Sequence, residues 1–359
     1  MADPREGRQA RLRARLREED LAGLLVTHLP NVRYLTGFSG SSGVVLVLPT
    51  QTVLITDFRY ESQAPQEVGD HARAEIVQAD TWERVVKFAG RSRGEGWGFE
   101  GESMSVATAR KLADKGLPGL KATTGLVESL RVQKSDDEVA AIRAAARLAG
   151  EAYAATVPAI RPGVTENEVA AVLEAELRRH GSEWHPFPTI VASGPRSALP
   201  HAGTGHRTIG PSEIVLLDFG AQVDGYCSDL TRVVVTGAPD ERQRVVFELV
   251  RDAQTRALEG LRAGITGKQG DALARGLIEE RGFGAAFGHS LGHGLGLELH
   301  EGPRISRSNE EALPANSVVT VEPGVYLPGW GGVRLEDDVL LTQSGVEMLS
   351  DRATELVEP

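Results

Sequence analysis

Two acidic residues lie on either side of a predicted turn in the second half of the sequence. A β-rich run over residues 214–219 ends with Asp218 and Phe219, and Asp229 lies in the next β-rich run, over residues 226–235. The position midway between them falls inside Val223-Asp224-Gly225, and Asp-Gly is a strong hairpin signal. The pattern predicts that the two carboxylates lie nearly opposite each other, with Cβ atoms about 5 Å apart.

A second acidic pair repeats this arrangement about one hundred residues later. Glu322 follows the β-rich run over residues 318–321, and Glu336 lies within the run over residues 332–341. The midpoint of this pair is Gly329, inside the turn sequence Pro328-Gly329-Trp330-Gly331. We therefore expect a second hairpin that also carries two facing carboxylates.

The two acidic pairs occupy corresponding strands, so a pseudo-twofold arrangement would bring four carboxylates to one centre. Ionised carboxylates at such distances raise each other's pKa unless a cation neutralises them. Two divalent ions would balance the four negative charges, and a two-metal site is the simplest interpretation. For any single acid, the alternative is an exposed strand residue or a turn cap.

A glycine-rich segment over residues 287–301 contains three of the nine histidines, namely His289, His293 and His300. Its glycines argue against a long helix and favour close backbone packing around a site. The spacing does not match a dinucleotide-binding loop, so a metal-binding or acid–base role is favoured. His201 lies 99 residues before His300, which makes it the candidate counterpart in the first half.

Composition excludes several classes of protein. The 359 residues suffice for about two domains, and the net charge of −11 argues against a nucleic-acid or anionic-lipid surface. The single Cys227 permits no intrachain disulfide and no CxxC metal site. The N-terminal 20 residues lack the apolar region of a secretory signal, and no apolar run is long enough to span a bilayer. We expect a cytoplasmic protein.

The elements that position these residues fall into two predicted domains. Residues 1–130 alternate short β-rich runs with helical patterns and predict a small α/β domain. Residues 131–359 begin with a long helix that Ser135 and Glu138 can cap, followed by a second helix that begins near Thr165. The acids and the histidine segment belong to this second, α+β domain.

An internal repeat supports two related halves in the second domain. Arg161-Pro-Gly163-Val-Thr165 matches Arg262-Ala-Gly264-Ile-Thr266 at an offset of 101 residues. The helices that follow are predicted to end at Gly181 and Gly282, again 101 residues apart. The matching offsets favour a duplicated helix–helix–sheet unit over a chance recurrence of helix-start signals.

Together these motifs resemble the metallopeptidase family that includes Xaa-Pro dipeptidase (prolidase), aminopeptidase P and methionine aminopeptidase. The resemblance rests on four stretches of the second domain, residues 218–232, 289–301, 321–324 and 333–337. It implies the pita-bread fold, an α+β catalytic domain with pseudo-twofold halves. In the first domain, residues 31–38 and 54–60 resemble the creatinase-type domain of the proline-specific branch.

The resemblance implies a ligand set and a cofactor. It assigns the metal ligands to Asp218, Asp229, His293, Glu322 and Glu336, with Asp229 and Glu336 shared between two divalent ions. Mn²⁺, Co²⁺ and Zn²⁺ are all chemically plausible, and carboxylate-rich ligation suits Mn²⁺. Two such ions can activate a water for attack on the carbonyl carbon before proline.

The resemblance also implies roles around the substrate. His300 would stabilise the developing oxyanion, Glu322 would carry a proton to the leaving proline nitrogen, and His201 would contact the substrate. Arg334 is a candidate clamp for a carboxylate or for backbone, and its alternative is an ion pair with Asp337 or Asp338.

Aromatic residues and one unusual segment could border the substrate. Phe187, Tyr226 and Trp330 are candidates for a proline pocket, although ordinary packing explains them as well. Residues 182–187 depart from the family pattern and are expected beside the substrate, as is the stretch after His201.

We therefore expect a metal-dependent Xaa-Pro dipeptidase whose substrate is a peptide with proline at the second position, with an Xaa-Pro aminopeptidase as the close alternative. An inactive binding module on the same fold and a metal-free creatinase-like amidinohydrolase are less favoured, because neither needs the full set of ligand residues. The resemblance also implies a homodimer.

Overall fold

The computed structural model describes residues 3–90, 96–117, 119–353 and 355–358. The chain divides into two compact units, Met1–Arg131 and Val132–Pro359. Among the described residues, no helix combines the length and apolar character needed to cross a membrane.

The first unit is built on a six-stranded mixed sheet. Its strands are β1 (Gly23–Val26), β2 (Val44–Val47), β3 (Thr52–Asp57), β4 (Arg73–Val77), β5 (Trp97–Glu100) and β6 (Lys121–Thr123), in the order β4-β3-β2-β1-β5-β6. Its α-helices are α1 (Pro4–Glu18), α2 (Leu29–Thr36), α3 (Gln63–Val68), α4 (Thr81–Ala89), α5 (Val106–Asp114) and α6 (Glu128–Arg131). The α/β class expected from the alternating pattern is confirmed.

Helices cover this sheet, so its central strands carry continuous apolar runs. Strand β1 is buried at every position, and Leu25 packs in one cluster with Val85 and Phe88 of α4 and Leu112 of α5. Such two-sided burial is typical of sheets sandwiched by helices. The short helices α2 and α3 and strand β6 were not predicted from the sequence.

The second unit consists of two helix pairs and two main antiparallel sheets. Its α-helices are α7 (Asp136–Thr156), α8 (Glu166–Arg179), α9 (Glu241–Gly260) and α10 (Gly267–Glu280). Its first-half strands are β7 (Ile190–Ser193), β8 (Ile214–Phe219), β9 (Gln222–Val223), β10 (Tyr226–Cys227) and β11 (Leu230–Val235). Its second-half strands are β12 (Gly292–Gly294), β13 (Glu301–Ile305), β14 (Val318–Val321), β15 (Gly324–Leu327), β16 (Gly331–Arg334), β17 (Asp337–Leu341) and β18 (Val346–Met348).

The sheets of the second unit follow the two halves. The first half has the order β11-β8-β7 and a β9–β10 ribbon, and the second half has the order β13-β12-β14-β17-β18 and a β15–β16 ribbon. Helices α7 and α8 pack on the first sheet, and α9 and α10 pack on the second. A β-bridge between Thr231 and Glu336 joins the two halves.

The predicted repeat is confirmed in the helices. Thr165 caps α8 through a capping box with Glu168, and Thr266 caps α10 through a capping box with Gln269. Both helices have 14 residues, and they begin 101 positions apart. Gly181 and Gly282, with φ of 105° and 83°, follow the helix ends because the chain there takes a left-handed conformation. The pseudo-twofold, α+β class expected for this unit is confirmed.

Candidate active site

The first hairpin places Asp218 and Asp229 on one face, but not directly opposite each other. In the β8–β11 ladder Asp218 pairs with Thr231, and Asp229 lies two residues before Thr231. The two acids, predicted to lie nearly opposite each other, are diagonal neighbours one step apart on the same face of the ladder. Asp224 and Gly225 both have positive φ, so the tight turn is centred between these two residues. The spacing of the two acids predicts a centre one residue earlier.

The second hairpin has the predicted register. Val321 pairs with Asp337, and Gly324 pairs with Arg334, so both ladders are centred on Gly329. The same register places Glu322 opposite Glu336, in the gap between the two ladders. The left-handed turn at Gly329, with φ of 80°, suits glycine.

Both hairpins are interrupted at the level of the acids. Ser228 and Asp229 separate β10 from β11, and Leu335 and Glu336 separate β16 from β17. At each interruption the strand leaves a two-stranded ribbon and enters a larger sheet. An irregular strand redirects its side chains, as β-bulges do beside active sites. The interruptions therefore bring acids of both halves to the seam between the sheets.

His293 reaches the same seam from the glycine-rich segment. Its Nε2 lies 3.6 Å from Asp229 Oδ2 and 3.7 Å from Glu322 Oε1. Its Nδ1 lies 3.1 Å from the carbonyl oxygen of Gly294, and this contact leaves Nε2 directed at the acids. A Cβ atom on Gly292 would lie 2.0 Å from the Thr320 carbonyl oxygen, so only glycine permits this approach of the strands. The expected close packing of the segment is confirmed.

The acids and the histidine form a donor set that fits divalent metal ions. Asp229, His293 and Glu336 each offer a ligand atom within 4.8 Å of the others, and all three are buried. Asp218, also buried, and the half-buried Glu322 line the same cavity of about 450 Å³. Carboxylate oxygens with one imidazole nitrogen suit Mn²⁺, Co²⁺ and Zn²⁺.

The electrostatics of the cluster are those of an anionic site whose charge Arg334 compensates only in part. Burial, with repulsion from Glu336 and Asp218, raises the pKa of Asp229 well above its usual range. Burial and repulsion from Glu336 do the same to the pKa of Glu322, and burial with repulsion from Asp218 raises the pKa of Glu336 to about 7. Burial lowers the pKa of His293 to about 3, so its ring is neutral and able to ligate. A cation would lower the pKa of these acids again.

Arg334 is committed to protein groups rather than to the partners suggested by the sequence. Its Nη2 donates to Asp218 Oδ2 at 2.5 Å, its Nε donates to Thr231 Oγ1, and its Nη1 donates to the Tyr326 hydroxyl and the Pro200 carbonyl oxygen. The alternative pairing with Asp337 or Asp338 is wrong. Arg334 therefore orients Asp218 and forms one wall of the cavity.

Asp337 and Asp338, which Arg334 does not contact, interact with other groups of the protein. Asp337 pairs with Arg232 Nη2 at 2.8 Å, and Asp338 Oδ2 accepts the backbone N–H of Asp229. Thr231 links two further site residues, since its hydroxyl accepts from Arg334 and donates to Glu336 Oε2 at 2.6 Å.

His289, Arg304 and Tyr326 had no individual role in the sequence analysis. In the structure they lie in the wall of the cavity or support it. The Tyr326 hydroxyl lies 2.8 Å from His289 Nε2, and His289 Nδ1 lies 3.7 Å from Glu322 Oε2. Arg304 lines the cavity with an exposed side chain, and its strand β13 pairs with the strand of His293. The histidine segment signalled His289, but no local pattern distinguishes Arg304 or Tyr326 from surface and core residues.

Some of the remaining predicted residues line the cavity, and the others pack elsewhere in the protein. His201, His300 and Phe187 line the cavity, and the His300 ring centroid lies 4.3 Å from that of His293. Tyr226 instead donates to Glu138 Oε1, and Trp330 stacks against Arg242, with neither among the cavity-lining residues that the structure describes.

A buried ion pair supports the end of the histidine segment. Lys134 Nζ lies 3.1 Å from Glu301 Oε2, with side-chain exposures of 1% and 6%. The other oxygen of Glu301 accepts the backbone N–H of Glu298 at 3.0 Å. The pair thus fixes the turn that carries His300, the residue immediately before Glu301.

Comparison with known proteins identifies the family. Residues 140–343 match the family model described as Metallopeptidase family M24, and residues 8–133 match the Creatinase/Prolidase N-terminal domain. The chain therefore belongs to metallopeptidase family M24, with a creatinase-type N-terminal domain, and it is a peptidase.

Relatives of this chain carry both names expected for the proline-specific branch. It is 35% identical to a Xaa-Pro dipeptidase of Pyrococcus furiosus, over 95% of this chain and 96% of the relative. A solved Xaa-Pro dipeptidase from Bacillus anthracis superposes with a TM-score of 0.96 at 38% identity, over 99% of this chain and all of that one. A solved X-Pro aminopeptidase from Thermotoga maritima superposes with a TM-score of 0.90, also at 38% identity, covering 98% and 99% of the two chains.

Proposed function

We propose that this peptidase is a metal-dependent Xaa-Pro dipeptidase, which hydrolyses the bond between an N-terminal residue and a following proline. The observation that carries the proposal is the convergence of five donor side chains in one cavity, beside His201, His300 and Arg304. The similarity to Xaa-Pro dipeptidases over nearly the whole chain supports the choice of substrate.

Two divalent ions are part of this proposal. Asp218, Asp229, His293, Glu322 and Glu336 would hold them. Such ions, when bound, supply a water activated at neutral pH and polarise the scissile carbonyl. The four acids, which Arg334 offsets only in part, would attract such cations, in agreement with the raised pKa values of Asp229, Glu322 and Glu336 without them.

The protein's own groups then handle the protons and the substrate. Glu322 is half-buried on the cavity wall, where its carboxylate can take the proton that the attacking water gives up and deliver it to the proline nitrogen. Partial burial and the nearby charge of Arg304 lower the pKa of His300, so its neutral ring can donate a hydrogen bond to the carbonyl oxygen as negative charge develops. His201 lines the cavity and contacts the substrate.

Arg304 is our candidate for the clamp on the substrate carboxylate, in place of Arg334. A dipeptide carries a free carboxylate on its proline, and a guanidinium binds that group bidentately. Arg304 presents an exposed side chain to the cavity, whereas the Arg334 guanidinium already donates to four protein groups. Arg334 is better described as a positioning residue for Asp218.

An Xaa-Pro aminopeptidase is the second candidate, and the equal identity to the aminopeptidase from Thermotoga maritima favours it over the remaining alternatives. The donor set gives no support to a metal-free amidinohydrolase or to an inactive binding module. The homodimer and the cytoplasmic location stay predictions from the sequence.

The test is hydrolysis of Ala-Pro, Ala-Pro-Ala and Ala-Ala by the purified full-length protein, loaded with Mn²⁺, Co²⁺ or Zn²⁺ in turn. We expect Ala-Pro to be cleaved with the highest kcat/KM, and Ala-Ala to be cleaved poorly. Arg304→Met should raise KM for Ala-Pro about tenfold or more, since the carboxylate loses its bidentate partner. Preference for Ala-Pro-Ala would replace the dipeptidase with the aminopeptidase, and efficient cleavage of Ala-Ala would reject proline selectivity.

A further inference from the structure

A buried ion pair on α10 is not part of the proposed chemistry. Arg275 Nε donates to Asp271 Oδ2 at 2.5 Å, and Arg275 Nη2 donates to Asp271 Oδ1 at 2.8 Å. The two side chains are 6% and 1% exposed. Two charges buried this deeply stabilise a structure only when their remaining donors and acceptors also have partners. Backbone groups of the glycine-rich segment over residues 287–301 supply those partners.

The ion pair contacts three alternate residues at the start of that segment. Arg275 Nη1 donates to the Phe287 carbonyl oxygen at 2.8 Å, and Arg275 Nη2 donates to the His289 carbonyl oxygen at 2.7 Å. Asp271 Oδ1 accepts the backbone N–H of Leu291 at 3.1 Å. The three residues lie between α10 and β12, where the chain is irregular. The side chains of α10 therefore supply hydrogen bonds that a neighbouring strand would otherwise provide.

Ring contacts add a second connection between Arg275 and the His289 side chain. The Arg275 guanidinium lies 4.0 Å from the centre of the Phe287 ring. The Phe287 ring meets the His289 ring edge to face, with the ring centroids 5.0 Å apart. Because Phe287 is 1% exposed, both contacts are shielded from water. The main chain and the imidazole of His289 are thus both held from α10.

Both ring nitrogens of His289 are engaged by protein groups. Its Nδ1 lies 2.8 Å from the Ser290 carbonyl oxygen, which can only accept a hydrogen bond, so Nδ1 carries the proton. Nε2 therefore accepts a hydrogen bond from the Tyr326 hydroxyl at 2.8 Å. The Tyr326 oxygen accepts from Arg334 Nη1 at 2.9 Å, and Arg334 Nη2 donates to Asp218 Oδ2. A continuous series of contacts therefore runs from α10 to a candidate metal ligand.

We infer that Arg275 and Asp271 are positioning residues for the active site, although the described residues that line its cavity include neither. They hold His289, and His289 holds the Tyr326 hydroxyl in the orientation that receives Arg334. The inference rests on the proposed Xaa-Pro function for its choice of substrate. The competing explanation is that the ion pair stabilises the fold and has no separate effect on catalysis. The two explanations differ in what they predict for kcat when stability is matched.

The first test compares two buried phenylalanines of the same apolar cluster. Phe287→Leu removes the ring that contacts Arg275 and His289, and Phe247→Leu removes a ring of α9 that is 3% exposed. Both variants should lose a similar amount in melting temperature, because each loses one buried ring. Phe287→Leu should lower kcat for Ala-Pro about tenfold, with KM nearly unchanged because Arg304 keeps its place. Phe247→Leu should keep kcat within about twofold of the native value.

A second variant separates the charge of the ion pair from its geometry. Arg275→Lys keeps a cation for Asp271, but an ammonium is a point charge and cannot hold two carbonyl oxygens while it contacts a ring. We expect a folded protein whose kcat is lowered about tenfold, again with KM nearly unchanged. The double variant of Arg275→Lys with Tyr326→Phe should lose little more kcat than the worse single variant, because both residues act through one series of contacts.

A chemical probe reads the position of His289 without catalysis. Diethyl pyrocarbonate acylates unprotonated imidazole nitrogens, and peptide mass spectrometry of the metal-free protein locates the label. The His289 side chain is 23% exposed, but in the native protein it should react slowly because its Nε2 accepts from Tyr326. Phe287→Leu and Arg275→Lys should each make the labelling of His289 several-fold faster. The exposed His206 serves as the reference, and its labelling rate should be the same in all variants.

The outcomes separate this inference from the proposed function. Equal loss of kcat in Phe287→Leu and Phe247→Leu, or a raised KM with unchanged kcat in Phe287→Leu, overturns the inference alone. Native kcat in a folded Arg275→Lys protein overturns it too, and if that variant does not fold, the comparison of the two phenylalanines decides. Failure to cleave any Xaa-Pro peptide rejects the proposed function. The labelling then decides on the inference, which unchanged rates at His289 would overturn.

Discussion

Removal of metal should make the stability of the catalytic unit depend on pH, because Arg334 then compensates only part of the negative charge of the buried acids. Burial and repulsion raise the pKa of Glu336 from 4.5 to about 7. A shift of this size contributes about 3 kcal/mol to the free energy of unfolding. This stabilisation is complete below the ordinary pKa of a glutamate and is lost as the pH rises through 7. Asp229 and Glu322 shift in the same direction.

The histidines oppose this trend, but mainly at lower pH. Burial lowers the pKa of His293 from 6.5 to about 3, so the unfolded chain binds the extra proton below pH 6.5 and stability rises with pH there. Above pH 6.5 this contribution is nearly complete. Between pH 6.5 and 8 Glu336 alone should cost about 1 kcal/mol, and His289 and His293 together should regain a similar amount, about 0.4 kcal/mol each. The net loss of stability over this interval therefore comes from Asp229 and Glu322, whose pKa values are also raised.

The measurement is the melting temperature of the full-length protein between pH 6.5 and 8, with chelator and with added Mn²⁺. For a unit of this size, 1 kcal/mol corresponds to about 2–4 °C. We expect the metal-free protein to lose at least that much at pH 8. Added Mn²⁺ should stabilise the protein more at pH 8 than at pH 6.5, because its ligands must be deprotonated.

Two variants sharpen this experiment. Glu336→Gln removes one buried charge, and should flatten the pH dependence of the metal-free protein and weaken the response to Mn²⁺. Glu347→Gln removes an acid whose side chain is 54% exposed, and should change neither. If the metal-free melting temperature is constant over this interval, or if Mn²⁺ acts equally at both pH values, the charge-compensation argument is refuted.

Three further predictions concern the groups that hold the site. Gly292→Ala should lower activity at least tenfold, because the added Cβ atom would clash with a carbonyl oxygen. Gly288→Ala should remain active, since no atom lies within 4 Å of its added Cβ. Equal activity of the two variants would contradict the steric argument. Thr231→Val should destabilise by about 2–4 kcal/mol in urea unfolding, and Thr231→Ser should restore most of this. Lys134→Met should lower the free energy of unfolding by about 3–5 kcal/mol, because it leaves the buried Glu301 carboxylate without its partner. Adding Glu301→Gln should recover part of this loss. If the effects of the two substitutions on the free energy of unfolding are strictly additive, the ion pair does not stabilise the protein.

The hairpins show how far the sequence determines the site. The second register could be predicted because the acids are symmetric about Gly329, and the turn between them keeps that symmetry. In the first hairpin, the positive φ values of Asp224 and Gly225 centre the turn half a residue beyond Asp224, which moves Asp229 from a direct to a diagonal neighbour of Asp218. Acid spacing alone does not contain that information.

The contacts around Arg334 show what the sequence could not reveal. Its partner Asp218 is 116 positions away, whereas the sequence offered Asp337 and Asp338 as near neighbours. Which acid it meets depends on how the two hairpins cross, a property of the packed sheets. The short helix α2 was missed for a related reason, since its eight residues are too few to establish a helical period.

The bridge between Thr231 and Glu336 has a mechanical consequence for the loaded protein. The two halves supply two acids each, so ions bound at this seam would act as a removable crosslink between segments about one hundred positions apart. Like a disulfide, such a crosslink restricts the separation of the halves, but a chelator reverses it. Amide hydrogen exchange along β11 and β17 should therefore slow on metal addition and recover its original rate when the metal is withdrawn.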